Sequence, residues 1–162
     1  MITLNLPYPP TVNHYYGNAV GGRKFIKAPG RKYRNDVRIE VLSKRLDKKI
    51  EGPIKVSILA FVPDNRKRDL DNINKSLLDA MQHAGVYVDD TQIVDIRSVK
   101  KPVIKNGRVV VNIEPYAKTD TDELERKLGE VINVDDWERL YVFTPEAEFT
   151  QKLIELSIAY KI

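Results

Sequence analysis

The chain has 162 residues, no cysteine and two histidines, which leaves room for one main domain with an appendage and excludes disulfide staples, thiolate zinc sites and most histidine-built metal centres. A net charge of +4 hides a division: residues 1–116 carry 21 Lys and Arg against 12 Asp and Glu, whereas residues 117–162 carry 6 against 11. The basic body suits a polyanion, because cations that neutralise phosphates release counterions, while the acidic tail reads as ordinary solubilising charge.

Met1-Ile2-Thr3-Leu4 lacks a charged start and a long apolar run, and no stretch is long enough to span a bilayer, so a cytoplasmic chain without membrane contact is expected. Ile2, Leu4 and Leu6 alternate with polar residues as a strand, stopped by Pro7-Tyr8-Pro9-Pro10. Asn13, His14, Tyr15 and Tyr16 lead into a glycine-rich loop. Alone they read as a surface loop with a tyrosine or two on the core. Arg23, Lys24, Lys27, Arg31, Lys32 and Arg34 follow closely, and together these residues read as a nucleic-acid edge that stacks on bases and holds phosphates.

Pro29-Gly30 opens a helix predicted from about Arg31 to Leu46, with Tyr33, Val37 and Val41, and one step round Ile39, Leu42 and Leu46, as its apolar face. Ile54 to Val62 is the clearest strand, rich in β-branched residues and ended by Pro63. Asp71 is expected as the N-cap of a second helix whose buried stripe is Leu70, Ile73, Leu77, Ala80 and Ala84, closed by Gly85. Val86 to Val88 reads as a short strand. Ile93 to Lys100 and Arg108 to Glu114 flank Asn106-Gly107, which predicts a hairpin, and Pro102 puts one of its strands at a sheet edge. The order β-α-β-α-β-β predicts an α+β fold, a small mixed sheet packed with two main helices, over residues 1–116. Residues 117–162 predict a helical extension: Leu124, Leu128 and Val131 mark one helix, and Thr144-Pro145-Glu146 starts another through Phe149, Leu153, Leu156 and Tyr160.

The chemistry gathers at Asp64-Asn65-Arg66-Lys67-Arg68-Asp69-Leu70-Asp71, where a strand hands over to a helix. Carboxylates beside Arg66, Lys67 and Arg68 suit a hard cation with a phosphate next to it, the bases holding the anion. Asp69 and Asp71 converge only if one precedes the helix proper, since residues two apart do not share a helix face. Asp89 and Asp90, one helix downstream, offer a further ligand, and Lys75 lies one turn after Asp71. The bland readings are a helix-capping Asp71, an ordinary Asp71–Lys75 pair and a turn at Asp89-Asp90.

Arg68-Asp69-Leu70-Asp71-Asn72 with Lys75, then Gly85-Val86-Tyr87-Val88-Asp89-Asp90-Thr91-Gln92-Ile93-Val94, resembles the RusA family of Holliday junction resolvases. Leu6-Pro7-Tyr8-Pro9-Pro10-Thr11-Val12-Asn13 is similar to that family's N-terminal proline-rich signature. The resemblance implies a homodimeric endodeoxyribonuclease, dependent on Mg²⁺ with Mn²⁺ as a substitute, that cuts four-way DNA junctions by paired nicks in recombination and repair, of phage or prophage origin. It implies Asp69, Asp71 and Asp90 as metal-binding and catalytic carboxylates, Lys75 as the catalytic lysine and Asp89 as an accessory. The tail departs from the compact family pattern and is expected to take a protein partner. The alternative from another class is a non-catalytic protein that binds DNA junctions and whose acidic cluster is structural.

Overall fold

The computed structural model describes residues 1–132, 137, 140 and 146–161. Two compact units divide at Tyr116 and Ala117. In the first, β1 (Ile2–Pro7), a single helical turn α1 (Val12–Tyr15), a small ribbon of β2 (Tyr16–Asn18) and β3 (Lys24–Ile26), α2 (Ala28–Ser43), β4 (Ile54–Phe61), α3 (Asp71–His83), β5 (Ile93–Lys101) and β6 (Arg108–Pro115) follow in order. The four-stranded sheet runs β1-β6-β4-β5, with β4 parallel to β5 and antiparallel to β6, and β6 antiparallel to β1. This is the expected mixed sheet with two main helices.

Period-2 alternation fixes the sheet's inner face. Ile54, Val56, Ile58 and Ala60 of β4, Val109, Val111 and Ile113 of β6, and Leu4 and Leu6 of β1 are buried. Against them lie Tyr33, Val37 and Val41 of α2 and Ile73, Leu77, Ala80 and Met81 of α3. Spacings of three and four residues put each set on one helix face.

The model changes several expectations. Strands β5 and β6 do not pair with each other. The strongly apolar β4 takes the central place between them, and the connection passes over its end, with Ile104 N–H donating to Val62 O at 3.0 Å. Asn106 and Gly107 do adopt left-handed φ values of 68° and 60°, so the turn is real although it joins strands two places apart. The expected edge strand is β5. Helix α2 begins earlier than predicted, because Pro29 sits in the first turn, where no N–H is missed, and it ends earlier, closed by Arg45 at φ 54° with Leu46 N–H donating to Val41 O at 2.9 Å. Ile39 and Leu42 are 59% and 46% exposed; the buried face is the narrower Tyr33, Val37, Val41 line. Gly30 belongs to it for a steric reason: a Cβ there would stand 2.7 Å from the Tyr15 carbonyl oxygen. Val86–Val88 forms no strand, only an isolated bridge between Tyr87 and Ile50, and the glycine-rich loop after Tyr16 is pinned as the β2–β3 ribbon.

Helix α3 begins at Asp71, with Leu70 rather than Asp71 in the capping place and already helical at φ −67°, ψ −36°. It ends as expected. Gly85, at φ 81°, donates to Gln82 O at 2.9 Å, and Val86 N–H donates to Met81 O at 3.1 Å, the paired bonds of a Schellman stop.

The second unit holds α4 (Asp120–Gly129) and α5 (Glu146–Tyr160). Leu128 and Leu153 are fully buried in its own small core, with Ile132 and Leu140. Val131 lies beyond α4 and is 48% exposed. Thr144 and Pro145, the expected helix start, fall outside the described residues. Among the described residues no helix is long and apolar enough to cross a membrane.

Candidate functional site

The loop from Pro63 to Leu70 is shaped by Asp64. Its carboxylate accepts from Arg66 N–H at 3.0 Å and from Arg68 Nη2 at 2.6 Å, and these bonds hold Asp64 below the usual carboxylate range, the Arg68 bond first. Arg68 also stands over the Tyr8 ring, 5.8 Å from its centre. Its Nε is buried with no hydrogen-bond partner among the described residues. Arg68 is thus bound into the scaffold, while Arg66 and Lys67 are exposed on either flank of the turn. Asp69 is exposed at the end of this loop, and its Oδ2 lies 3.5 Å from Asn72 Nδ2. Asp71 is exposed in the first turn of α3, where the helix dipole favours a negative charge.

Asp71, Lys75 and Asp79 recur every four residues, so they share one face of α3. Lys75 does not pair with Asp71. Its Nζ lies 2.9 Å from Asp79 Oδ1 and 2.9 Å from Asp90 Oδ2. The second acidic motif therefore reaches the helix that Asp71 begins, one turn further along. Asp79, which sequence reasoning missed, is only 14% exposed as a side chain. Burial, and then the charge of Asp90, push its carboxyl up to about 6, while the Lys75 ammonium pulls the other way. Its spacing from Lys75 was the available signal.

Asp89 and Asp90 divide their work. Asp89 Oδ1 accepts from Thr91 N–H at 3.0 Å and from Thr91 Oγ1 at 2.6 Å, and Oδ2 accepts from Gln82 Nε2 at 3.1 Å. The Thr91 bonds, more than Gln82, hold it below the usual carboxylate range. Gln92 closes the turn: its Oε1 accepts from Asp89 N–H at 2.8 Å, and its Nε2 donates to Ile50 O at 2.9 Å and Gly52 O at 2.7 Å. Asp89 is consumed in holding a turn that presents Asp90 to α3. Gln92 is the second functional residue missed, since nothing local in the sequence tells that its amide ties this turn to residues 50 and 52.

The donor set is all oxygen, as a hard divalent cation requires. Among the described residues, however, no three acidic or histidine side chains are gathered closely enough to hold one ion. Asp69, Asp71 and Asp90 line the start and flank of α3 without converging, and an ammonium stands against Asp90.

The residues expected at a nucleic-acid edge fall into two groups. Tyr15 is fully buried, its ring in the core and its hydroxyl accepting from Arg34 Nε at 2.7 Å, so no base can stack on it as it stands. Lys27 Nζ donates to Asn13 O at 2.8 Å, Arg31 Nη1 to Ile26 O at 2.6 Å, and Lys32 pairs with Asp36. His14 Nδ1 and Thr11 Oγ1 lie 2.8 Å apart. Asn13, Arg23 and Lys24 are exposed, and Tyr16 is half-buried.

A family model described as Endodeoxyribonuclease RusA matches residues 7–114. The Crossover junction endodeoxyribonuclease RusA of Shigella sonnei (strain Ss046) is 42% identical over 111 residues, covering 68% of this chain and 92% of that protein. Its Escherichia coli K12 counterpart is 41% identical over 111 residues, with the same coverage. That of Enterobacteria phage 82 is 43% identical over 110 residues, covering 68% of this chain and 91% of its own. The matched region includes the Asp64–Lys75 and Asp89–Gln92 segments and ends at the last sheet strand.

Proposed function

The chain belongs to the RusA family of endodeoxyribonucleases, and from that premise we propose that it resolves four-way DNA junctions by paired nicks, serving recombination and repair on the DNA of the cytoplasm or of a resident phage. The observation that carries this reading to the residues is the Lys75 ammonium, which joins Asp90 to the α3 face that Asp71 heads. Two acidic motifs some twenty positions apart meet at one helix, which an N-cap and an unrelated turn would not require.

Asp69, Asp71 and Asp90 are the residues that would hold Mg²⁺, with Mn²⁺ able to replace it. When bound, such a cation supplies charge neutralisation on the phosphoryl oxygens and lowers the pKa of an attacking water. The chain's own residues do the rest. Lys75, half exposed and held by Asp79, can follow the scissile phosphate and stabilise the departing 3′ oxygen. Asp79 keeps that ammonium in place, and Gln92 with Asp89 keeps Asp90 turned toward it. Arg66 and Lys67 hold neighbouring phosphates, with selection by junction shape rather than by base edges. A four-way junction has approximate two-fold symmetry, so a homodimer would set two such sites on opposed strands. We assign the nuclease to residues 1–116 and a protein-partner role to the acidic extension.

The failure of three carboxylates to converge favours one rival, a junction-binding protein whose acidic residues are structural. Cleavage of a synthetic four-way junction in Mg²⁺ separates the two. The enzyme reading expects Asp71→Asn to bind the junction and not cut it. Equal behaviour of parent and variant leaves the binding protein.

A further inference from the structure

We propose that the cleft between α2 and the end of α3 is a subsite for a DNA backbone phosphodiester, a few nucleotides from the scissile bond, with Arg38 and His83 among its ligands. The proposal rests on the nuclease reading and extends it to residues that the family motifs do not touch.

The cleft has a volume of about 500 Å³ and is lined by Ile26, Arg31, Arg34, Asn35, Arg38 and His83. Positions 31, 34, 35 and 38 fall on one face of α2, so three arginines line a single concavity, with no carboxylate in its wall among the described residues. Like charges gathered this way repel one another, and an anion relieves that repulsion. Two of the three are already oriented by bonds that use only part of their donor forks. Arg31 is held by the Ile26 carbonyl at 2.6 Å. Arg34 is held by the Tyr15 hydroxyl and lies 5.7 Å over the Tyr15 ring. A guanidinium fixed in advance loses little entropy when it takes a phosphate bidentately. Burial first, and then Arg34 and Arg38, lower the pKa of His83.

The cleft also leads somewhere. Arg34 and His83 line a second concavity of about 530 Å³ together with Asp79, Gln82 and Val88. Asp79 holds Lys75, and Gln82 holds Asp89. The two concavities therefore adjoin at Arg34 and His83, and the second is walled by the residues that hold the lysine and Asp89. From Lys75 to His83 is eight residues of helix, about 12 Å at 1.5 Å per residue, the length of a few nucleotides of one strand.

The test uses the full chain carrying Asp71→Asn, so that the junction stays intact during measurement. Adding Arg38→Ala and His83→Ala, both at exposed positions, should weaken binding of a synthetic four-way junction at least fivefold at moderate salt. The slope of log affinity against log salt should fall by about one per cleft, and Arg38→Lys should restore part of the loss. Unchanged affinity and slope would overturn the subsite. A second readout needs no variant: inorganic phosphate added at constant ionic strength should shift the His83 ring resonances to a plateau where chloride does not, and no shift would count against the cleft. A phosphate shift with junction binding indifferent to both substitutions would mean a site for free phosphate and overturn the strand assignment. If the parent binds no junction at all, the nuclease reading falls, and the phosphate titration still decides whether the cleft takes an anion.

Discussion

The two units of this chain are built from opposite materials. Residues 1–116 are basic and bury a sheet against two helices, whereas residues 117–162 are acidic, and those described among them form helices around a small core of their own. In the first unit, beside local pairs such as Lys75 with Asp79, some polar side chains are spent across long sequence distances, as Lys75 is on the Asp90 carboxylate and Gln92 on the Ile50 carbonyl. In the second, the ties seen among the described residues include local ones. Thr119 and Asp122 form a capping box, and Arg126 pairs with Glu123 one turn away. Long-range polar ties fix side chains in geometries that a reaction needs. Local ties merely stabilise a helix. The family model stops at residue 114, where the one kind of construction gives way to the other.

Lys75→Ala should break the contrast most sharply. It removes the ammonium that joins Asp90 to α3, and junction cutting should fall on the order of a hundredfold or more, with binding kept within a few fold. Single-turnover cleavage beside a binding titration measures both, and a variant that cuts at the parent rate would take Lys75 out of the site. Gly30→Ala sharpens the packing side of the comparison. The new methyl meets the Tyr15 carbonyl at 2.7 Å, and overpacking of this kind costs about 1–3 kcal/mol. Urea unfolding followed by a first-unit probe should show a lower midpoint, and no change would mean that α2 shifts freely.

Asp79 gives a pH test. Its carboxyl is raised from 3.8 to about 6 in the folded chain, so between those values the native state binds more protons than the unfolded state. Stability from this group is therefore greatest at low pH and lost as pH rises through about 6. Asp79→Asn, which cannot ionise, should be more stable than the parent by about 1 kcal/mol at pH 7.5, after allowance for solvent screening, with the difference gone near pH 4. Thermal unfolding at the two pH values reads it. A parent more stable than the variant at pH 7.5 would show that attraction to Lys75 outweighs burial. The smallest effect belongs to the tail: Thr119→Ala loses a cap worth about 1 kcal/mol, should fray α4 by circular dichroism, and should leave cutting untouched. A loss of cutting would tie the extension to catalysis.

Much of the first unit was legible because it depends on periodicity. Leu4 and Leu6, the alternating β4, and the Ile73, Leu77, Ala80 stripe with its Gly85 stop are all recognisable from near neighbours. Partner choice was not. Asn106-Gly107 turns as its residues demand, yet which strands it joins depends on β4 claiming the centre of the sheet. The site divides in the same way. Asp69, Asp71, Lys75 and Asp90 stood out as charges in pattern, while Asp79 acquired its character from burial and Gln92 from carbonyls some forty residues away. Tyr15 could be read as a tyrosine on the core or as a base-stacking aromatic, and the structure buries it.

The central claim is that Asp90 and the residues heading α3 serve one metal ion. Crystals of the full chain soaked in Mn²⁺ test it directly through the ion's anomalous signal. The account predicts an ion bound by Asp90 together with Asp71, with Lys75 moved off the Asp90 carboxylate. An ion at Asp69 and Asp71 alone, with Asp90 still paired to Lys75, would contradict it.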